Sequence, residues 1–394
     1  MDGIINIYKE QGYTSHDVIA RMRGISGQRR AGHTGTLDPD AEGVLPVCLG
    51  TATRVVEMLT DTDKTYEAVV CLGIATDTED ISGEITAFGQ DGLPKITDDR
   101  IRAVVESFKG EYMQVPPVYS AIKLEGKKLC ELTREGKELT PEARSVTIKD
   151  IGIMSDIADG TLKSEIRFVR EEIQEGGAQV GCEESPEGGA RVGCEEVPES
   201  REVSSGDICV MHLKDGSCID RFGATGEPED DRFKRNSDPE WMKDEATLAL
   251  PVKRFVIRVD CAKGTYIRSL CRDIGEKLGC HATMEKLIRT RVGSLGIESS
   301  LTLAQAQQLA GEGRLAEALI ATDECFKDLP ALHTKEKYDQ VLENGNIMFF
   351  RHFKEYIKEP VSPVRVYTSK GEFLAVYRFE ERRKLYKPLK MFTQ

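Results

Sequence analysis

Gly32-His33-Thr34-Gly35-Thr36-Leu37-Asp38-Pro39-Asp40-Ala41-Glu42-Gly43-Val44-Leu45-Pro46 is the stretch from which the rest of the chain is read. Three glycines and two prolines in fifteen residues, with no hydrophobic period, specify a tight loop leading into a strand. The loop has no Lys-Ser/Thr after its glycines, and Gly-x-Gly-x-x-Gly is absent, so neither a Walker-type phosphate cradle nor a dinucleotide fingerprint is present. Asp38 stands immediately before a proline, which biases it towards extended backbone and lets its carboxylate point out of the loop. On these residues alone Asp38 reads either as a turn or cap residue or as a catalytic carboxylate, with Asp40 and Asp77 as rivals.

Outward from the loop, regular elements alternate over short connections. Thr14-Ser15 precede Val18, Ile19, Met22 and Ile25 at helical spacing, with glycines at 24 and 27, predicting a capped amphipathic helix. Val44 to Leu49 is a short apolar run ending at Gly50, and Tyr66 to Leu72 is a second one, each read as a strand. Thr97 caps a helix whose stripe is Ile101, Val104, Val105 and Phe108, stopped by Gly110. Beyond Pro251, Phe255, Ile257 and Val259 alternate with Arg254, Arg258 and Asp260, predicting a half-buried strand. Ile267, Leu270, Ile274 and Leu278 then mark a helix ending at Gly279. After Pro330 comes a short, strand-rich tail with Tyr367, Phe373, Leu374, Val376 and Tyr377, a hairpin turn at Gly371, and a basic end. The expectation is an α+β fold on a mixed or antiparallel sheet.

The 394 residues exceed the ~250–300 at which one core stops growing, so two domains are expected. No run approaches the ~20 apolar residues of a membrane span. The N-terminus shows no basic segment leading into an apolar one, so cytoplasmic residence without membrane contact is the default. The 11 cysteines, Cys48, Cys71, Cys130, Cys271 and Cys325 among them, form no Cys-x-x-Cys pair, and only 6 His are present. That argues against a metal site and for reduced, mostly buried thiols. The net charge of −13 is confined to residues 171–245, which hold 21 acidic and 8 basic residues and leave the remainder neutral. Within that stretch, 179–187 recurs imperfectly as 191–199, a Gly/Glu/Pro-rich repeat with little to bury. A disordered acidic insertion over about 157–250 is expected, leaving the sheet as an excursion, with local refolding around 207–213 and Trp241.

The loop sequence, with Gly43-Val44-Leu45-Pro46-Val47 and Gly50-Thr51-Ala52-Thr53, resembles the signature of the TruB pseudouridine synthase family. Lys9 with Gly12-Tyr13-Thr14-Ser15 is similar to that family's N-terminal motif, although Glu10 stands where a proline is usual. Lys64-Thr65-Tyr66, Leu72-Gly73 and Thr76-Asp77-Thr78-Glu79-Asp80 with Gly83 resemble its next block. Residues 114–123 with Gly126-Lys127-Lys128-Leu129 resemble an RNA-clamping thumb, over about 114–145, and Lys263-Gly264-Thr265-Tyr266-Ile267-Arg268 with Leu278-Gly279-Cys280 the last catalytic block. The blocks keep the family's order over 1–156 and 251–325, and the acidic segment departs from it.

The resemblance implies a pseudouridine synthase domain over 1–325 and a small β-rich, PUA-like RNA-binding domain over 326–394. It implies isomerisation of uridine 55 in the tRNA T-loop, by a monomeric enzyme without an obligate protein partner and without a cofactor, since no electron, phosphate or metal is consumed. Asp38 would be the nucleophile, Arg268 its ion-pair partner, and Tyr66 the platform stacked on the extruded uracil. His33 would fill the gap left by the flipped base, and Tyr266 and Leu287 would complete the pocket wall. Lys64, Lys123, Lys127 and Lys128 would bind substrate, and Arg29, Arg30, Arg134, Arg289 and Arg291 would extend the phosphate track. Rival readings are a tRNA-folding chaperone using the same groove and a guide-directed rRNA synthase; the intact Asp38, Tyr66 and Arg268 favour chemistry, and the thumb favours a stand-alone enzyme.

Overall fold

Thr14 accepts a hydrogen bond from the Asp17 amide while the Asp17 carboxylate accepts from the Thr14 amide at 2.8 Å, and this reciprocal cap starts the helix Ser15–Ser26. Gly27, at φ 64°, ends it in the left-handed conformation. The computed structural model describes residues 1–89, 93–120, 122–124, 127–129, 141–164, 210–212, 218–220 and 239–392. The Thr97 cap is present too, but its helix, Asp98–Glu106, stops before Gly110, which opens the next strand instead.

A ten-stranded sheet forms the body. Its path runs through Gly3–Lys9, Glu42–Leu49, Ala282–Val292, Lys64–Leu72, Pro251–Cys261, Arg144–Ile153 and Gly110–Gln114. Every pairing on this path is antiparallel except that of Ala282–Val292 with Glu42–Leu49. A sheet of mixed direction with helices against it is the expected α+β architecture. Lys64–Leu72 and Pro251–Cys261 are central strands, and Tyr66 faces Val259 on one side and Arg289 on the other. One face carries the main core, where Val18, Ile19 and Met22 of the first helix meet Leu45, Ala68, Val70, Ile257, Leu270 and Leu287. Removing such side chains from water stabilises by roughly 1.5–3 kcal/mol each.

A second sheet, Ala331–His333, Val364–Tyr367, Phe373–Glu380 and Leu385–Met391, has its own core around Val364, Val366, Tyr377 and Tyr386. It packs on the body through Val376, Phe392 and Phe326, which meet Ile4, Cys48 and Val55. Gly371, at φ 86°, makes the expected turn before Phe373–Glu380.

Two expectations need correction. The strand Pro251–Cys261 is half-buried only over its second part, where Arg258 is exposed and Asp260 intermediate; in its first part Arg254 is only 3% exposed, because there the central strand is covered on both faces. The segment 157–250 is also not irregular throughout. Ala158–Thr161 pairs with Pro251–Arg254 of the sheet, and Glu240–Lys243 and Glu245–Leu248 are helical turns. Val210–His212 pairs with Cys218–Asp220, as local refolding around 207–213 would require. The repeat at 179–199 and residues Cys130 and Arg134 lie outside the described residues.

Candidate active site

The Asp38 loop is buckled to the N-terminal segment at the two residues that flank Asp38. The Ser15 hydroxyl accepts from the Leu37 amide at 2.9 Å and donates to the Leu37 carbonyl at 3.1 Å. The Pro39 carbonyl accepts from the Lys9 ammonium at 3.0 Å and from the Gly12 amide at 2.9 Å. These bonds give the Lys9, Gly12 and Ser15 motif its physical purpose: it holds the residues on either side of Asp38. Gly43, at φ 103°, lets the loop pass across the neighbouring strand, since a Cβ there would lie 2.2 Å from the Arg289 carbonyl oxygen.

Asp38 is thereby presented to Arg268, in the first turn of the helix Ile267–Leu278. The Arg268 Nε lies 3.1 Å from Asp38 Oδ2, with the arginine side chain 7% exposed and the aspartate 41%. The guanidinium is also fixed from behind, donating to the Thr78 carbonyl at 2.9 Å and the Tyr119 carbonyl at 3.0 Å, with Asp80 Oδ2 3.5 Å away. Held in this way, it cannot swing away from the one carboxylate that faces the open side. Burial pushes the Asp38 carboxyl above the ordinary carboxylate range; Arg268 and, more weakly, Lys9 oppose that, while Asp80 adds to it. A carboxylate that is partly dehydrated yet kept oriented is suited to nucleophilic attack.

Tyr66 and Tyr266 lie within the field of the same carboxylate. Burial raises the Tyr66 phenol, with the Arg289 charge partly offsetting it, so at neutral pH it is a protonated ring. That suits it to stacking and to relaying a proton rather than to storing one as a base. Tyr266 precedes the Arg268 helix, and its backbone is clamped at both ends by Gln114: the Tyr266 amide donates to Oε1 at 2.9 Å, and Nε2 donates to the Tyr266 carbonyl at 3.0 Å. Leu287 is buried in the core that Tyr66 packs against. Asp38, Arg268, Tyr66 and Tyr266 thus form one group.

His33 sits at the start of the loop, at the end of Ala31–His33, half-buried and edge-on to His16 at 6.1 Å between ring centroids. Burial lowers its pKa, with the His16 and Arg289 charges acting in the same direction, so the ring is neutral near pH 7. A neutral, planar ring at the loop's edge is compatible with insertion into a base stack.

Lys64 is turned inward, donating to the Thr60 and Thr62 carbonyls, and burial lowers its pKa to about 8. Lys123 and Lys127–Lys128 belong to the two short strands Lys123–Leu124 and Lys127–Lys128, and their side chains lie outside the described residues. Arg289, read from sequence as a phosphate contact, is 1% exposed and bonds to the Val44 and Gly35 carbonyls, so it braces the loop rather than meeting solvent. Arg291 pairs with Asp260 at 3.1 Å. Asp77 caps its own turn by accepting from the Glu84 amide at 2.8 Å. No group of three or more His, Cys, Asp or Glu able to hold a metal ion occurs among the described residues. No helix among them is long and apolar enough to cross a membrane.

Sequence reasoning quoted Lys9 and Asp80 without giving either a role. Lys9 is fully buried beneath Pro39, and burial lowers its pKa to about 8 against the pull of Glu42, Asp40 and Asp38. The signal for it was its place in a short motif upstream of the loop; its target, thirty residues on, has no local trace.

Comparison with known proteins matches residues 23–170 to the N-terminal domain of the TruB family pseudouridylate synthases and residues 268–327 to the tRNA pseudouridylate synthase B C-terminal domain. A protein of Lachnoclostridium phytofermentans named tRNA pseudouridine synthase B is 37% identical, with 100% of each chain covered. One of Geobacillus thermodenitrificans with the same name is 32% identical over 100% of each chain. Among solved structures, a Cbf5-Nop10-Gar1 complex superposes with a TM-score of 0.57 at 21% identity, covering 99% of this chain and 85% of that one. A chain of an H/ACA RNP bound to a substrate RNA containing 2′-deoxyuridine gives 0.56 at 21%, with 100% and 85% covered.

Proposed function

The chain belongs to the TruB family of pseudouridylate synthases and isomerises uridine in tRNA, and from that premise we propose that its target is uridine 55 of the T-loop, attacked by Asp38 as a flipped-out base and without a cofactor. The observation that carries the reading is the half-open Asp38 carboxylate held 3.1 Å from the buried Arg268. Pseudouridine formation breaks the C1′–N1 bond and makes a C1′–C5 bond, while C5 loses a proton and N1 gains one. Electrons balance within the nucleoside, so the reaction requires no redox partner, and isomerisation consumes no group-transfer reagent.

Each neighbour has a role in that scheme. Arg268 keeps Asp38 ionised and oriented. Tyr66 stacks on the uracil as it turns and relays the C5 proton, while Tyr266 and Leu287 wall the pocket. His33 occupies the place vacated in the T-loop stack, for which its neutral ring is suited. Lys64 acts from behind, by fixing the Thr60 and Thr62 carbonyls before the Tyr66 strand. The lysines at 123, 127 and 128 grip phosphates from the thumb, and the second sheet, within 326–394, gives the RNA a further surface. The enzyme acts alone, as a single chain, on free tRNA.

The test is to map pseudouridine in an unmodified tRNA transcript incubated with the purified protein alone. Conversion at position 55 is expected. Conversion at another uridine, or only when a guide RNA or second protein is added, would contradict the proposal.

A further inference from the structure

The single tryptophan of the sequence lies where the acidic segment returns to the body. Trp241 is in the helical turn Glu240–Lys243, and its indole N–H donates to the Gly83 carbonyl at 2.9 Å. Gly83 closes a turn that begins at Asp77. A Cβ at Gly83 would fall 2.3 Å from Asp77 Oδ1 and 2.4 Å from Thr78 Oγ1, so the turn is wound tightly on itself. Inside it, Asp80 Oδ1 accepts from the Thr78 hydroxyl at 2.8 Å and from the Ser82 amide at 3.0 Å.

The other side of the same turn faces the active site. Its Thr78 carbonyl takes Arg268 Nη1 at 2.9 Å, and its Asp80 Oδ2 stands 3.5 Å from that nitrogen. The root of the segment is seated against the turn as well. Leu162 and Leu250 pack with Ile81 and Ile85 around Cys71, Ile74 and Val252. The Leu162 amide donates to the Leu250 carbonyl at 3.1 Å, so both ends of the segment meet there. The portion of the chain that departs from the family pattern therefore touches the loop that aims the family's arginine.

We infer that Trp241 is a positioning residue for the isomerisation: through the Gly83 carbonyl it fixes the 77–83 turn, and through Thr78 and Asp80 it fixes the angle at which Arg268 meets Asp38. This rests on Asp38 being the nucleophile, and the experiment separates the two. The charged and titratable groups around Asp38 are Arg268 from its helix, Asp80 from the turn, Lys9 from the first strand, and the Tyr66 and Tyr266 phenols. Of these, Arg268 and Asp80 are the ones the turn holds. Loosening the turn weakens the ion pair that stabilises the Asp38 anion, which raises its pKa and moves the acid limb of the rate towards higher pH.

The measurement is the single-turnover rate of pseudouridine formation against pH for Trp241→Phe and Trp241→Ala in the full chain, beside Asp38→Ala. Trp241→Phe keeps an aromatic ring there and removes the N–H. Its acid limb is expected to move up by about one pH unit, a rate loss of about tenfold on the acid side that recovers towards pH 8. Trp241→Ala is expected to move the limb at least as far, while the tRNA dissociation constant stays within about twofold for both, because phosphate contacts are untouched. Lowered thermal stability with an unmoved limb in both variants would show that Trp241 merely staples the segment, and would overturn the inference. Activity retained by Asp38→Ala would instead strike the nucleophile assignment.

Discussion

Two buried arginines, Arg254 on the sheet and Arg268 on the helix Ile267–Leu278, make nearly the same set of contacts and differ in one respect. Arg254 pairs with Glu285 and donates to the Thr161 and Leu162 carbonyls at 2.9 and 3.2 Å. Arg268 pairs with Asp38 and donates to the Thr78 and Tyr119 carbonyls. Both guanidinium groups are enclosed, at 3% and 7% exposure. The carboxylates are not alike: Glu285 is 23% exposed on a strand, whereas Asp38 is 41% exposed on a loop. The first pair fastens the root of the acidic segment to the sheet. The second uses the same clamp to hold a carboxylate that another molecule can reach. A buried cation satisfied by carbonyls is an anchor, and what it anchors decides whether the site is structural or chemical.

Alanine at each arginine separates the two roles by the widest margin. Arg268→Ala is expected to lower the single-turnover rate by on the order of 10²–10³, because orientation and ionisation of the nucleophile are both lost. Arg254→Ala should leave turnover per folded molecule within about threefold, yet cost about 3–5 kcal/mol of stability, as when one partner of a buried pair is removed. Equal losses of turnover in the two variants, measured after correcting for the folded fraction, would show that the distinction is false.

The pH profile sharpens it further. The carboxylate must be ionised to attack, so the rate rises with pH through the Asp38 pKa in the folded protein. Burial raises that pKa, which places the acid limb above the ordinary value of 3.8. Asp80 pushes it in the same direction, so Asp80→Asn should move the limb down, while Arg268→Ala, which removes the opposing charge, should move it up. Limbs moving together, or a limb in the wild type at or below 3.8, would contradict the assignment.

The smallest effect belongs to the thumb. Lys127→Ala with Lys128→Ala is expected to leave the saturated rate within about twofold while raising the RNA dissociation constant. Each lost phosphate contact should reduce the log–log salt slope by about 0.9 on duplex-like RNA or about 0.7 on single strands. An unchanged slope would remove these lysines from the phosphate track.

Much of this was legible in the sequence, since caps, glycine stops and apolar periods are local. Thr14, Thr97, Gly27 and Gly279 end or begin helices at the expected places, and Asp38 and Arg268, far apart in the chain, do meet. What could not be read is which charges face inward. Arg254 sits on the polar half of an alternating strand, and only the covering segment and Glu285 make that half interior. Arg289 lies in a basic run that suggests an RNA surface, yet it points beneath the loop to Val44 and Gly35. Burial of a charge depends on partners supplied from elsewhere in the chain, and no local period encodes them. The same limit hid the partner of Trp241, which lies 158 residues away.

By this account the exposed half of the Asp38–Arg268 pair does the chemistry. The most direct test is single-turnover pseudouridine formation by Asp38→Ala at saturating tRNA, with binding measured on the same preparation. The predicted result is a rate lowered on the order of 10⁴-fold or more, as for loss of a nucleophile, with the dissociation constant within about threefold of wild type. A rate within about tenfold of wild type would contradict the claim, and activity lost in Asp40→Ala but kept in Asp38→Ala would move the nucleophile to that residue.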